Sequence, residues 1–188
     1  FSSFARMPKP AKEEADLRDI LRDAVFLREM GTTHVEFIRE LGEAPLTGMF
    51  DARMLGQAFG NLVKNAVEAI ESVPGDQERD GRKVWVRAHL DSSRDTFVVD
   101  IIDNGSGLPA ENRHRILEPY MTMREKGTGL GLAIVKKIIE EHGGQLELHD
   151  APSEFDNGRG AMIRVLLPHV VSVGGAETGT DKEFAYGV

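Results

Sequence analysis

Apolar residues recur every three to four positions in three stretches of the chain and every second position in several shorter ones, and this contrast lays out the elements. From about Ala15 to Arg28, Leu17, Ile20, Leu21, Ala24, Val25 and Leu27 share one helical face, with Gly31 as a stop. Asp51 is a good helix N-cap, and Met54, Leu55, Ala58, Phe59, Leu62, Val63, Ala66, Ala69 and Ile70 form a broad stripe that runs to Pro74. A third helix spans Leu130 to His142 through Ile134, Val135, Ile138 and Ile139, with Gly143-Gly144 at its end. Alternation predicts a pair of strands over His34–Leu41 and Leu46–Phe50, with the turn Gly42-Glu43-Ala44-Pro45 between them. Val84–Leu90 alternates as a strand. Phe97–Ile102 is a nearly continuous apolar run broken only by Asp100, so it reads as a buried strand that delivers Asp103 to its end. Gln145–His149 and Met162–Leu167 are two last strands around the polar loop Ala151–Gly160.

Runs of strands and helices without regular βαβ alternation give an α/β (α+β) two-layer sandwich, with helices on one face of a mixed sheet. Phe1–Met7 has the apolar face of a helix end that Pro8 and Pro10 terminate, and a linker follows. Residues 1–12 are therefore set apart, 13–170 form one domain, and 171–188, rich in Gly, Thr and charge, are expected to be a loose tail.

Composition narrows the function classes. The 188 residues carry a net charge of −8 and no stretch of Lys and Arg interleaved with aromatics, so nucleic acid is not an expected partner. Without Cys there is no disulfide framework or thiolate metal site, and the six His lack ligand spacing. No apolar run approaches the roughly 20 residues that cross a bilayer, no signal peptide opens the chain, and no direct membrane contact is expected of this segment. The start at Phe1 rather than Met reads as a cut from a longer parent.

Three segments carry chemistry. In Asn61-Leu62-Val63-Lys64-Asn65, two amides fall together at one edge of the apolar stripe, with Lys64 and Glu68 farther toward solvent. An amide pair can hold hydrated Mg²⁺ and orient phosphate oxygens, although such a pair alone is more often a solvated helix edge. Asp103 closes a buried strand beside Gly105 and Gly107, which admit positive φ and the close approach of a planar ligand. A carboxylate there accepts from the exocyclic amine of adenine, which guanine replaces with a carbonyl; the bland alternative is an ordinary Asp-Asn-Gly turn. Gly127, Gly129 and Gly131 lead into a helix whose free N–H groups suit phosphate, with Thr128 and Lys126 as further candidates. No P-loop is present, and Gly105-x-Gly107-x-x-Ala110 lacks the following apolar helix of a dinucleotide fold.

In this order the segments resemble the ATP-binding catalytic domain of sensor histidine kinases, in the gyrase, heat-shock chaperone and mismatch-repair ATPase superfamily, over about Leu17 to Pro168. Asn61–Ala69 resembles the N box, Asp103–Gly107 the first glycine box, Leu117–Thr122 the F box and Gly127–Leu132 the second glycine box. The resemblance implies a Bergerat-type ATP-binding fold with a mostly antiparallel sheet. It implies ATP and Mg²⁺ as cofactors, with Asn65 as metal ligand, Asn61 assisting at the phosphates, and Asp103 on the adenine amine. Gly105, Gly107, Tyr120, Gly127, Thr128, Gly129, Leu130 and Gly131 would line the nucleotide, and Tyr120 to Thr128 would form a short lid. Met121–Lys126 and the lead-in Phe1–Pro10 look most like the membrane-bound nitrogen-regulation kinases.

Asn61 bears on the reaction. Hydrolytic members of the superfamily carry Glu there as a general base, and an amide cannot take that proton. The implied activity is transfer of the γ-phosphoryl to a histidine on a dimerisation domain of the same parent, whose last helix Phe1–Met7 would end, and onward to a response regulator. None of His34, His89, His114, His142, His149 or His169 has the context of that phosphoacceptor. The implied location is cytoplasmic, on a parent anchored in the inner membrane. Glu68 departs from members that carry Lys at that position. A protein-serine kinase, an ATP-hydrolysing switch and a non-catalytic docking module are the competing readings.

Overall fold

The computed structural model describes residues 6–75, 81–121 and 129–170. Along the chain these form β1 (Glu13–Asp16), α1 (Leu17–Glu29), β2 (Glu36–Glu40), β3 (Thr47–Phe50), α2 (Ala52–Glu71), β4 (Lys83–Asp91) and β5 (Thr96–Asp103). A 3₁₀ turn at Arg113–Leu117 precedes α3 (Gly131–Glu141) and β6 (Gln145–Asp150), and a second at Asp156–Gly158 precedes β7 (Ala161–Pro168). The helix end expected at Phe1–Met7 and the tail from 171 fall mainly or wholly outside the described residues.

The main sheet has five strands in the order β2-β4-β5-β7-β6, with β2 and β4 parallel and the other pairs antiparallel. All three helices pack on one face. There Val84, Val86 and Ala88 of β4, Phe97, Val99 and Ile101 of β5, and Ile163, Val165 and Leu167 of β7 meet the buried stripes of α1, α2 and α3 in one core. Strand periodicity places Asp103 on the same side as Phe97, Val99 and Ile101, turned toward the helical layer. Among the described residues no helix is long and apolar enough to cross a membrane.

The expected pairing of the strands around residues 34–50 is not what forms. β2 joins β4 in parallel, and β3 instead pairs with β1, a strand hidden in the acidic run Glu13-Glu14-Ala15-Asp16. The cause is the start of α1. Asp16 caps the helix through Arg18 N–H at 3.0 Å and accepts from Leu46 N–H at 3.2 Å. Arg18 donates to the Glu43 carbonyl at 2.6 Å, and the Leu17 N–H reaches the Leu46 carbonyl at 2.9 Å. The turn is thus held to α1, and the chain beyond it lies beside β1. The Arg18 guanidinium beside Asp16 holds its carboxyl down at about 2.

The opposite sheet face carries two rows in register. Ile38, Trp85, Ile102 and Met162 line up from β2 to β7, and the Trp85 ring meets Phe155 edge-on at 5.1 Å. Beside them, Glu40, Arg87, Asp100, Arg164 and Glu147 stand opposite one another across all five strands, so the charges alternate along the row. The buried Asp100 explains the break in its apolar run: Arg164 donates to both its oxygens, at 2.7 and 2.9 Å.

His142 ties the helical layer together. Its Nδ1–H donates to the Ile138 carbonyl at 2.8 Å, and its Nε2 accepts the Asp51 N–H at 3.1 Å, which requires the neutral ring. Asp51 caps α2 through Met54 N–H and also accepts from Ala11 N–H, 3.0 and 2.9 Å away. Burial pushes the His142 imidazole below the usual histidine range, and nearby Lys12 pushes the same way. The unfolded chain therefore binds a proton near pH 6.5 that the folded chain refuses until lower pH. Stability is expected to fall as pH drops below about 6.5, with a slope of up to about 1.4 kcal/mol per pH unit from this group. Urea unfolding between pH 5 and 8 checks this: His142→Gln should flatten the profile, and an unchanged profile would refute the assignment.

Candidate nucleotide-binding site

The two asparagines lie where the helical wheel places them. Asn61 and Asn65 are half-buried on α2, one turn apart at the edge of its buried face. Lys64 stands toward solvent, 52% exposed, and pairs with Glu68 at 3.8 Å, so it is occupied on the outer surface.

Asp103 is buried at the end of β5, and its Oδ1 accepts the Gly105 N–H at 2.8 Å, an Asx turn that fixes the carboxylate. The two glycines after it differ in role. Gly107 has φ +77°, as expected. Gly105 does not adopt positive φ; its missing Cβ is required because one there would lie 2.5 Å from the Ala69 carbonyl carbon and 2.6 Å from the Ile70 nitrogen. The close approach it permits is that of α2's backbone. Ser106 N–H then donates to the Ala69 carbonyl at 3.1 Å, locking the glycine turn to the helix one turn beyond Asn65.

The third candidate segment is the start of α3. Leu130 and Gly131 are half-buried, and the N-cap Leu130 offers no side-chain acceptor to the first N–H groups. Gly129, at φ +68°, lies against the backbone of Tyr120, whose N–H donates to the Gly129 carbonyl at 2.9 Å. Tyr120 itself adopts φ +64° and is exposed. Gly127, Thr128 and Lys126 lie outside the described residues. A groove of about 450 Å³ along the outer face of α3, lined by Lys136, Lys137, Glu140 and Glu141, contains none of the expected site residues.

The set fits a magnesium nucleotide in chemical kind. The Asn65 and Asn61 side chains offer neutral oxygens of the sort Mg²⁺ shares with phosphates and water. The start of α3 offers backbone donors and the positive end of a helix to an anion. Asp103, facing the helices, offers an acceptor to an amine.

Sequence reasoning missed the support beneath Asp103. Asn104 is fully buried; its Oδ1 accepts the Lys83 N–H at 2.9 Å, and its Nδ2 donates to the Gly81 carbonyl at 2.9 Å and to Asp156 Oδ2 at 3.2 Å. Gly160, at φ +98°, touches Asp103: a Cβ there would fall 1.9 Å from the Asp103 carbonyl oxygen. A cluster of turn residues before the final strand was the available signal, and it read as a polar loop.

Residues 50–171 match the family model described as histidine kinase-, DNA gyrase B- and HSP90-like ATPase. The nitrogen regulation protein NtrY of Azorhizobium caulinodans is 53% identical over 167 residues, which cover 89% of this chain and 21% of that protein. The sensory histidine kinase/phosphatase NtrB of Rhodobacter capsulatus is 32% identical, over 88% of this chain and 46% of its own length. The chain thus spans about a fifth to a half of these two relatives. Among solved structures, the mycobacterial sensor histidine kinase MprB superposes with a TM-score of 0.70 at 26% identity, covering 85% of this chain and 99% of the other. Full-length ShkA in complex with AMPPNP shares the fold, with a TM-score of 0.72 at 22% identity over 90% of this chain and 34% of its own.

Proposed function

We infer the function from one premise: the chain belongs to the histidine kinase-, DNA gyrase B- and HSP90-like ATPase family. It is the ATP-binding kinase module of a two-component sensor, and it hands the γ-phosphoryl of ATP to a histidine on a dimerisation domain of the same parent. A response-regulator aspartate receives it next. The likeness to the nitrogen regulation protein NtrY supports nitrogen-related signalling; the same proposal puts the chain in the cytoplasm on a membrane-anchored parent, with residues 1–12 leading in from the dimerisation domain.

The observation that carries this reading is the nature of residue 61. A half-buried amide stands one turn before Asn65 on the helix whose last turns hold the glycine turn after the buried Asp103, and that amide cannot activate water. Asn65 would hold Mg²⁺ and Asn61 would assist at the phosphates. The bound ion would neutralise charge on the β- and γ-phosphates. Asp103 accepts the adenine amine, Gly107 and Tyr120 border the nucleotide, and the backbone from Gly129 to Gly131 faces the phosphates. With an amide rather than a carboxylate at position 61, the protein's work is orientation and exclusion of water, and the nucleophile arrives from outside.

The test mixes the chain with the dimerisation domain of its parent, labelled ATP and Mg²⁺. The expected product is acid-labile phosphate on the dimerisation domain and none on this chain. Acid-stable phosphate, or phosphate released without transfer, would overturn the reading.

A further inference from the structure

The β6–β7 loop is built more tightly than a connection requires. Asp156, Asn157 and Gly158 adopt left-handed φ values of 44°, 57° and 78° in succession, a conformation that side chains resist and that persists only when the surroundings impose it. The surroundings are visible. Ala151 and Phe155 are buried, Phe155 packs on Trp85, and the Ala151 N–H closes the loop on the Gly160 carbonyl at 3.2 Å. This shape presents two groups to the end of β5: the Asp156 carboxylate to Asn104, and the bare Cα of Gly160 to the Asp103 carbonyl. Asn104 passes the first contact on to the Gly81 carbonyl and the Lys83 N–H. The buried acid at the head of the candidate site is thus held from α2 through Gly105 and, on its other flank, from a loop far away in sequence.

We propose that Asn104, Asp156 and Gly160 are positioning residues for base recognition, setting the place of the Asp103 carboxylate and through it the preference of the site for adenine over guanine nucleotides. The proposal rests on the reading of Asp103 as the acceptor of the adenine amine. A misplaced carboxylate loses its hydrogen bond to adenine and equally loses its repulsion of the guanine carbonyl, so the effect concentrates in the ratio of the two affinities. Contacts to the triphosphate, which both nucleotides share, are unaffected.

Equilibrium binding of ATP and of GTP, each with Mg²⁺, is measured on the full chain, with folding at the assay temperature checked by circular dichroism. Asp156→Ala and Asn104→Ala are each expected to lower the ATP:GTP affinity ratio by about tenfold, the equivalent of about 1.4 kcal/mol. Gly160→Ala, which drives a methyl into the Asp103 carbonyl, should lower it further if it folds; the other two variants carry the test if it does not. Asn104→Gln, which keeps both amide functions on a longer arm, should recover part of the ratio lost in Asn104→Ala. A purely structural role predicts that both affinities fall together at an unchanged ratio, and that result overturns the proposal. Asp103→Asn separates the layers. If it leaves the ratio unmoved, the reading of Asp103 falls and the proposal with it; if it collapses the ratio while the three supporting variants do not, the proposal alone falls.

Discussion

Asn65→Ala is expected to lower phosphoryl transfer to the dimerisation domain by about 10²- to 10³-fold, the cost of removing one group that stabilises developing phosphate charge. The half-buried position on α2 is what makes the loss large, because an amide held at the rim of a buried face is pre-oriented and water replaces it poorly. The specific signature is in the metal. Nucleotide binding by the native chain should tighten as Mg²⁺ is raised, whereas binding by the variant should respond weakly. Titrating ATP with and without Mg²⁺ checks this, and a variant that keeps the full Mg²⁺ response would remove Asn65 from the role of ligand. The fold should survive, since Ala favours a helix more than Asn does.

The largest effect on stability is expected at Arg164. Asp100 is only 3% exposed and accepts a hydrogen bond on each of its oxygens from this guanidinium, which is itself 35% exposed. Truncation leaves a carboxylate in the sheet with its bidentate partner gone. Arg164→Ala should therefore cost about 3 kcal/mol, the lower end for a buried pair because the Arg is partly in water. For a chain of this size that is a fall in Tm of roughly 6–12 °C. Replacing the pair together, as Asp100→Leu with Arg164→Met, should recover most of the loss, since an apolar pair of similar volume avoids the desolvation of both charges. Thermal unfolding of the three proteins decides it; a single variant within about 1 kcal/mol of the native chain would show that neighbouring Arg87 substitutes for Arg164.

Helices and site were legible for the same reason. Each α-helix announces itself by a stripe of apolar residues within a single window; Asn61, Asn65, Leu130 and Gly131 sit at the edges or starts of such stripes, Asp103 at the end of the apolar run of β5, and Gly107 in the turn after it. The structure places them as the spacing implied. What was hidden depends on partners far apart in sequence. β1 has no alternation of its own, because Glu13-Glu14-Ala15-Asp16 is a strand only where β3 lies beside it. The parallel pairing of β2 with β4 is decided by the capture of the Gly42–Leu46 turn at the start of α1. Asn104 and Asp156 meet across 52 positions, and each alone reads as a turn former. Gly105 was read as a place of close approach, and the neighbour that its bare Cα admits is the helix backbone at Ala69, which no local pattern announces.

Tyr120 and Gly129 touch backbone to backbone, and both hold left-handed φ values, +64° and +68°. A Cβ at position 129 would fall 2.6 Å from the Tyr120 carbonyl carbon and 2.9 Å from the Met121 nitrogen, so only a bare Cα lets the two stretches of chain meet. The joint between the lead-in to α3 and the segment that ends at Tyr120 is therefore made of main chain alone. Any side chain at position 129 acts as a wedge there, prising the start of α3 away from its neighbour without removing a single polar group.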